Sequence, residues 1–219
     1  MENELRNLAQ SAHKLGIELS AGQLDQFSTY QQELLRWNAK TNLISEKSAQ
    51  EIVSRHFLDS LTAFNFIAKP DARIVDIGCG AGFPGIPLKI ASPDLRLYLV
   101  ETNRKKVSFL KNVLRVLRLP DAFVLHDRVE NLLVDQWKDF FDVLISRAAF
   151  KLPDMLPWGA FFLATGGKLV ALKGRDMDSE FSQGADAAAQ YGFSKLFQYD
   201  VNQEASDITR KIIVGQKTK

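Results

Sequence analysis

Asp76, Gly78, Gly80, Gly82 and Gly85 fall within one stretch, IVDIGCGAGFPGIPLKI, residues 74–90. An apolar run leads in and a helix-like segment leads out, an arrangement suited to holding a ligand against the backbone. The glycines can be read in two registers. Gly80, Gly82 and Gly85 give G-x-G-x-x-G, the spacing of a dinucleotide site. Asp76 with the first three glycines gives D-x-G-x-G-x-G. The carboxylate separates the two. A pyrophosphate seat needs backbone N–H groups, a helix N-terminus and no negative charge nearby. Two like unit charges ~4 Å apart repel by roughly 4 kcal/mol at an effective dielectric of ~20. A carboxylate ahead of the glycines suits a cationic ligand instead. S-Adenosylmethionine, with a sulfonium, an α-ammonium and no phosphate, is such a ligand, and the glycines then serve close backbone approach.

Glu101 follows Gly82 by about 20 residues, the separation at which an acid accepts hydrogen bonds from a ribose diol. NAD and S-adenosylmethionine both carry that diol, so Glu101 supports a nucleoside without choosing between them. No G-x-x-x-x-G-K-[ST] sequence is present, which excludes a Walker-type nucleotide hydrolase. Cys79 has no histidine near it in sequence and reads as a small residue fitting a tight turn rather than a nucleophile.

These residues need a scaffold, and the apolar rhythm supplies one. Residues 1–69 read as helical. Ser20 and Ser48 each open a capping-box pattern. Leu24, Phe27, Tyr30, Leu34 and Trp37 then recur at helical steps, as do Val53, Phe57, Leu61 and Phe64. After Pro70, RIVDIG, RLYLVE, AFVLHD, FDVLIS and KLVALKG are short β-type runs, with helical segments between them at 105–119 and 151–163. That alternation predicts βαβ units in a parallel, doubly wound sheet. The last two runs, KLFQYDV and RKIIVGQK, are joined too briefly for a crossover helix and should pair antiparallel. A dehydrogenase sheet ends in another parallel strand, whereas a seven-stranded methyltransferase sheet inserts an antiparallel one. The expected fold is therefore α/β, with a doubly wound, mostly parallel, Rossmann-like seven-stranded sheet of the class I S-adenosylmethionine-dependent type. A helical region at 1–69 precedes a cofactor-binding domain at 70–219.

Bulk properties are compatible with this. The chain has 219 residues, 46% hydrophobic and 25% charged, as in ordinary soluble domains. No apolar run reaches the ~20 residues that span a bilayer, and MENELRNLAQ has no secretory signature, so no membrane association and a cytoplasmic location are expected. The single cysteine excludes an internal disulfide or a multi-cysteine metal site, and no metal is expected. A net charge of +2 says nothing global about nucleic acid.

Seven segments occur in order: WNAKTNL (37–43), RHFLDSL (55–61), DIGCGAGFPGIPLKI (76–90), LVETNRKKVSFL (99–110), RVE (128–130), ISRA (145–148) and ALKGR (171–175). In these the chain closely resembles the bacterial glucose-inhibited division protein B family, the 16S ribosomal RNA guanine-N7 methyltransferases (small-subunit methyltransferase G). That family usually has a small hydroxyl residue where Cys79 stands, a nearly isosteric difference. The resemblance implies S-adenosyl-L-methionine as cofactor, bound by Asp76, Gly78, Gly80, Gly82, Phe83 and Glu101. Val129 and Glu130 would flank the adenine, and Arg147 would reach the cofactor or substrate side. It also implies 16S ribosomal RNA or the small ribosomal subunit as partner; a monomer is expected.

Guanine N7 bears a lone pair and no proton, so its methylation needs positioning and water exclusion but no general base. His56 and Asp59, three apart on a helix, can share a face and position guanine, together with Arg147. Arg128, Lys151, Lys173 and Arg175 cluster at strand ends, and Arg104, Lys111 and Arg115 form a stripe on the 105–119 helix, so these seven are expected to hold RNA phosphates. A small-molecule methyltransferase of the same fold, an NAD-dependent oxidoreductase and a nucleic-acid-binding protein with a decayed cofactor site are the rival readings.

Overall fold

The computed structural model describes residues 2–45, 51–67, 69–174, 177–202 and 209–218. It opens with two helices, α1 (Glu2–Lys14) and α2 (Ala21–Thr41). Ser20 caps α2 through a reciprocal box. Its hydroxyl accepts the Gln23 N–H at 3.3 Å, and Gln23 Oε1 accepts the Ser20 N–H at 2.8 Å. The cap expected at Ser48 lies outside the described residues. A wide π-type turn, Val53–Leu58, then runs into a helical turn, Asp59–Leu61; together these form α3.

Seven strands follow: β1 (Arg73–Ile77), β2 (Arg96–Val100), β3 (Ala122–Leu125), β4 (Phe141–Arg147), β5 (Leu163–Lys173), β6 (Phe197–Asn202) and β7 (Thr209–Gln216). Helices α4 (Gly85–Ala91), α5 (Arg104–Val116), α6 (Leu152–Phe162) and α7 (Asp178–Ala188) lie between them. The sheet order is 3-2-1-4-5-7-6. Strands β1 to β5 pair in parallel, while β7 runs antiparallel to both β5 and β6. This is the doubly wound sheet with an antiparallel insertion that the sequence predicts. The order reverses between β1 and β4, and the carboxyl ends of those two strands flank the switch point where ligands of such sheets bind.

Successive side chains of each strand go to opposite faces. Ile74, Leu97, Leu99, Val143, Ile145, Val170, Leu172, Ile212 and Val214 belong to one core, shared with Leu8, Phe27, Tyr30 and Leu34 of the first two helices, Phe57 and Leu61 of α3, and α4 and α5. Val75, Ile77, Val100, Leu144, Leu169, Ala171 and Ile213 belong to the other, with α6 and α7. The lead-in helices are thus packed into the core of one sheet face. Each wholly buried Phe or Leu there contributes roughly 1.5–3 kcal/mol of burial free energy.

Candidate functional site

The glycine loop after β1 is held from three directions. Beneath it, Asp76 Oδ2 accepts the Gly85 N–H at 2.8 Å, fixing the start of α4 against the sheet. From β2, Glu101 Oε2 accepts the Gly80 N–H at 3.0 Å while Oε1 accepts those of Thr102 and Asn103 at 2.9 and 2.8 Å. From α2, the Tyr30 hydroxyl donates to the Ala81 carbonyl at 2.5 Å. Gly78 adopts φ +67°, and a Cβ there would lie 2.8 Å from Ala149 Cβ and Phe150 Cε2, so only glycine fits.

A small hollow opens beside the loop on the α6 side, about 60 Å³ in volume and lined by Gly78, Val100, Glu101, Thr102, Asp127, Val129 and Phe150. Asp127 Oδ1 accepts the Asn131 side-chain amide at 2.6 Å and the Arg128 N–H at 2.8 Å. Those bonds, the Asn131 one foremost, hold its carboxyl below the usual range, so it is ionised at neutral pH.

On the opposite, α2–α4 side of the loop lies a charged and aromatic cluster. His56 stacks on Phe83 with centroids 4.6 Å apart and 15° between planes, and the Arg147 guanidinium sits 4.8 Å from the same ring. Arg147 Nη1 donates to Asp59 Oδ2 at 3.1 Å and Arg210 Nε donates to Asp59 Oδ1 at 2.7 Å. Asp59 is wholly buried, so one carboxylate serves two arginines. Arg147 Nη2 lies 2.8 Å from His56 Nδ1. A guanidinium can only donate, so Nδ1 accepts and the imidazole proton sits on Nε2. Burial, reinforced by Arg147, Arg210 and Arg55, brings the His56 pKa down to about 3. His56 is therefore neutral, and its Nε2 is buried without a hydrogen-bond partner among the described residues.

Strand alternation sorts the sequence-predicted residues. His56, Asp59, Phe83 and Arg147 are brought together. Gly78, Glu101 and Val129 line the hollow, whereas Glu130 is exposed and Arg147 lies outside it. Gly80 and Gly82 shape the loop at φ +61° and +98°. Asp76 does not line the hollow. Its side chain faces the α4 side of the sheet, completely buried under the loop it anchors. Burial pushes its pKa up to about 7, against the pull of the Gly85 N–H and Arg147, and Oδ1 has no hydrogen-bond partner among the described residues. Lys173 is buried too, with Nζ on the Phe150 carbonyl and 2.6 Å from Glu180 Oε1, so it does not belong to an exposed basic rim. Arg128, Lys151, Arg104, Lys111 and Arg115 are exposed, and Arg175 lies outside the described residues.

Among the described residues, no cluster of His, Cys, Asp and Glu could hold a metal ion. The family model of rRNA small subunit methyltransferase G (GidB) matches residues 23–212. The chain belongs to that family. Its relatives include the ribosomal RNA small subunit methyltransferase G of Syntrophus aciditrophicus, 42% identical across 97% of this chain and 89% of the relative. That of Desulfitobacterium hafniense is 37% identical across 94% and 85%. Among solved structures, the precorrin-6y C5,15-methyltransferase of Geobacter metallireducens shares the fold with TM-score 0.57 and 15% identity, over 81% of this chain and 92% of that one. TYW2 of M. jannaschii, solved in complex with AdoMet, aligns with TM-score 0.57 and 16% identity over 79% and 76%. The sheet is thus that of class I methyltransferases, as the antiparallel β7 required.

Within this member of the GidB family, several residues of the site lay beyond sequence reasoning. Tyr30 reads as one more apolar position of α2, and only its hydroxyl among Phe and Leu neighbours marks it. Arg210 precedes the apolar run of β7 and reads as a flanking charge. Phe150 and Thr102 come from loops with no motif of their own. Lys106, whose Nζ lies 4.0 Å from where a Gly80 Cβ would sit, is hidden in a basic run.

Proposed function

We propose that this protein transfers the methyl group of S-adenosylmethionine to N7 of a guanine in 16S ribosomal RNA. The observation that carries the reading is the glycine loop strapped to Glu101 beside the hollow, in a chain of the rRNA small subunit methyltransferase G family. The residues present fit such a cofactor. Gly78 leaves room that a Cβ would fill, and Asp76 Oδ1 is an orphaned buried acceptor under the loop. Glu101, with three acceptor sites taken by backbone N–H groups, keeps one on Oε2 for a ribose hydroxyl, and Val129 offers an apolar wall to the adenine, with the exposed Glu130 at its margin.

When bound, the cofactor supplies a sulfonium methyl. The acceptor N7 would use a lone pair that carries no proton, so no residue of the chain is needed as a general base. The protein's work is orientation and exclusion of water. His56, Asp59 and Arg147 would position the target base, with neutral His56 offering Nε2–H as a donor. Arg128, Lys151, Arg175, Arg104, Lys111 and Arg115 would hold phosphates of the RNA; Lys173, buried on Glu180, would hold the Phe150 loop instead.

No helix among the described residues is long and apolar enough to cross a membrane. A cytoplasmic monomer, with a helical region at 1–69 and a catalytic domain at 70–219, completes the reading. Labelled methyl transfer to 16S RNA or 30S particles, followed by mapping of the modified base, tests it. Label on a guanine at N7 is expected; label on a pyrimidine, or none, overturns the assignment.

A further inference from the structure

Helices α2 and α5 lie side by side and antiparallel. Gln26 Nε2 donates to the Leu117 carbonyl at 2.9 Å, Asn112 Nδ2 to Glu33 Oε2 at 2.7 Å, and Trp37 meets Phe109 edge-on with centroids 5.8 Å apart. The C-terminal end of α2 therefore lies beside the N-terminal end of α5, at the mouth of the glycine loop. Three facts about this face are unexplained by folding. Residues 104–118 contain six cations, Arg104, Lys105, Lys106, Lys111, Arg115 and Arg118, and no acid, in a chain whose net charge is only +2. Three of the six occupy the first turn of α5, where the helix dipole disfavours positive charge. On α2, Arg36, Trp37, Lys40 and Thr41 line an open hollow of about 290 Å³, with the half-buried indole at its base between two exposed basic side chains.

We infer that this two-helix face is the docking surface for an unpaired segment of the RNA substrate, and that the Trp37 hollow takes one base. The inference rests on the methyltransferase reading above and adds where the RNA lies. Charge and shape both select the occupant. A row of cations that the helix itself disfavours fits a phosphate backbone. An indole between basic side chains fits a nucleobase, because stacking on aromatic rings is how single-stranded RNA is held. The track is also continuous with the catalytic end. Lys106 reaches the glycine loop, and Phe109, which supports Trp37, is three residues or roughly 4.5 Å of helix rise further on. Nucleotides flanking the target guanine would thus run from the loop along α5 to Trp37. Among the described residues of this face, Arg36 pairs with Glu33 at 2.5 Å, while Lys40 and Lys111 extend exposed ammonium groups that a phosphate can meet.

The test uses the full chain and 16S RNA, with Lys40→Glu and Lys111→Glu compared against Lys195→Glu. Lys195 is an exposed lysine just before β6, at the far edge of the sheet, and gives the same change in net charge. Each of the first two is expected to raise the RNA KM about tenfold. Each should also flatten the dependence of log RNA affinity on log salt by about 0.7, the slope of one single-strand phosphate contact. S-Adenosylmethionine affinity, read by calorimetry, should not change. Trp37→Ala, which removes the stacking ring, is expected to raise the RNA KM about tenfold. Reversals no more harmful than Lys195→Glu, with unchanged salt slopes, overturn the inference. So does an effect confined to 30S particles and absent with free RNA, since the face would then meet a ribosomal protein. If the wild-type protein transfers no methyl group, the proposed function fails. RNA-binding measurements on the same variants then still decide the docking surface.

Discussion

Replacing Asp76 with Asn is expected to stabilise the protein while weakening its cofactor site. The folded-state pKa of Asp76 is raised from 3.8 to about 7, chiefly by complete burial. A carboxyl raised in this way binds more protons folded than unfolded between those two values, so its ionisation opposes folding as pH rises through that window. At 1.36 kcal/mol per pKa unit, the cost is roughly 1.7 kcal/mol at pH 5 and about 4 kcal/mol at pH 8. Asparagine keeps an oxygen for the Gly85 N–H and carries no charge. The packing difference between the two side chains is a constant, whereas the ionisation cost is not. The advantage of Asp76→Asn over the wild type should therefore grow by roughly 2–3 kcal/mol between pH 5 and pH 8. Urea unfolding of both proteins at four pH values measures this directly, because all other titrating groups cancel in the difference. A difference that stays flat with pH would refute the claim that Asp76 is buried with a raised pKa. Calorimetry on the same variant should show weaker S-adenosylmethionine binding at pH 8, where the lost charge matters most.

Asp59→Asn leaves Arg147 and Arg210 without their shared counter-charge, a loss of about 3–5 kcal/mol. For a chain of this size that is a fall of roughly 6–20 °C in Tm by calorimetry, and a loss under about 1 kcal/mol would mean the pair is not buried as described. His56 should appear in nitrogen NMR as the neutral Nε2–H tautomer, with no protonation between pH 8 and pH 4. Its depressed pKa gives stability that is full above about 6.5 and lost as pH falls toward 3, so His56→Gln should flatten the acid limb of the stability profile. Gly78→Ala forces a side chain into φ +67° and against Ala149 and Phe150. It should cost about 1–2 kcal/mol in stability and at least tenfold in cofactor affinity, read by calorimetry.

The fold was legible because its signals are local and periodic. Short apolar runs such as RIVDIG, RLYLVE and FDVLIS alternate with segments of helical spacing, and the short link before RKIIVGQK leaves no room for a crossover helix. The capping box at Ser20 was readable letter by letter. The site was legible where a motif bears on the backbone: the glycines, Glu101, and the pair His56 and Asp59. It was not legible where a contact joins distant segments through one atom. Tyr30 reaches Ala81 over 51 residues, and Arg210 reaches Asp59 over 151, and neither separation leaves a pattern in the chain.

Asp76 and Lys173 are buried for a common reason, and that reason also explains why Arg147 joins Asp59 and His56. All three stand at the carboxyl ends of strands, where ligands of open α/β sheets bind, but position along a strand says nothing about which face a side chain takes. The two-residue period decides that. Asp76 shares parity with Ile74 and faces α4, so its carboxylate becomes an anchor for the helix start. Lys173 shares parity with Leu169 and Ala171 and faces α6 and α7, so its ammonium ties the Phe150 carbonyl to Glu180. Arg147 shares parity with Val143 and Ile145, which directs it under α3 to Asp59, His56 and Phe83. Arg210, in parity with Ile212 and Val214, joins it there from the antiparallel strand. A charged residue at a strand end touches the ligand only if its parity points to an uncovered part of the sheet. Here both faces are covered, by α2 to α5 on one side and α6 and α7 on the other. Asp76 and Lys173 are therefore drawn into scaffolding. Beside the His56, Asp59 and Arg147 cluster proposed to position the base, the parts left to meet a ligand are the loops just beyond the strands, Gly78, Glu101 and Thr102, and the exposed faces of the covering helices.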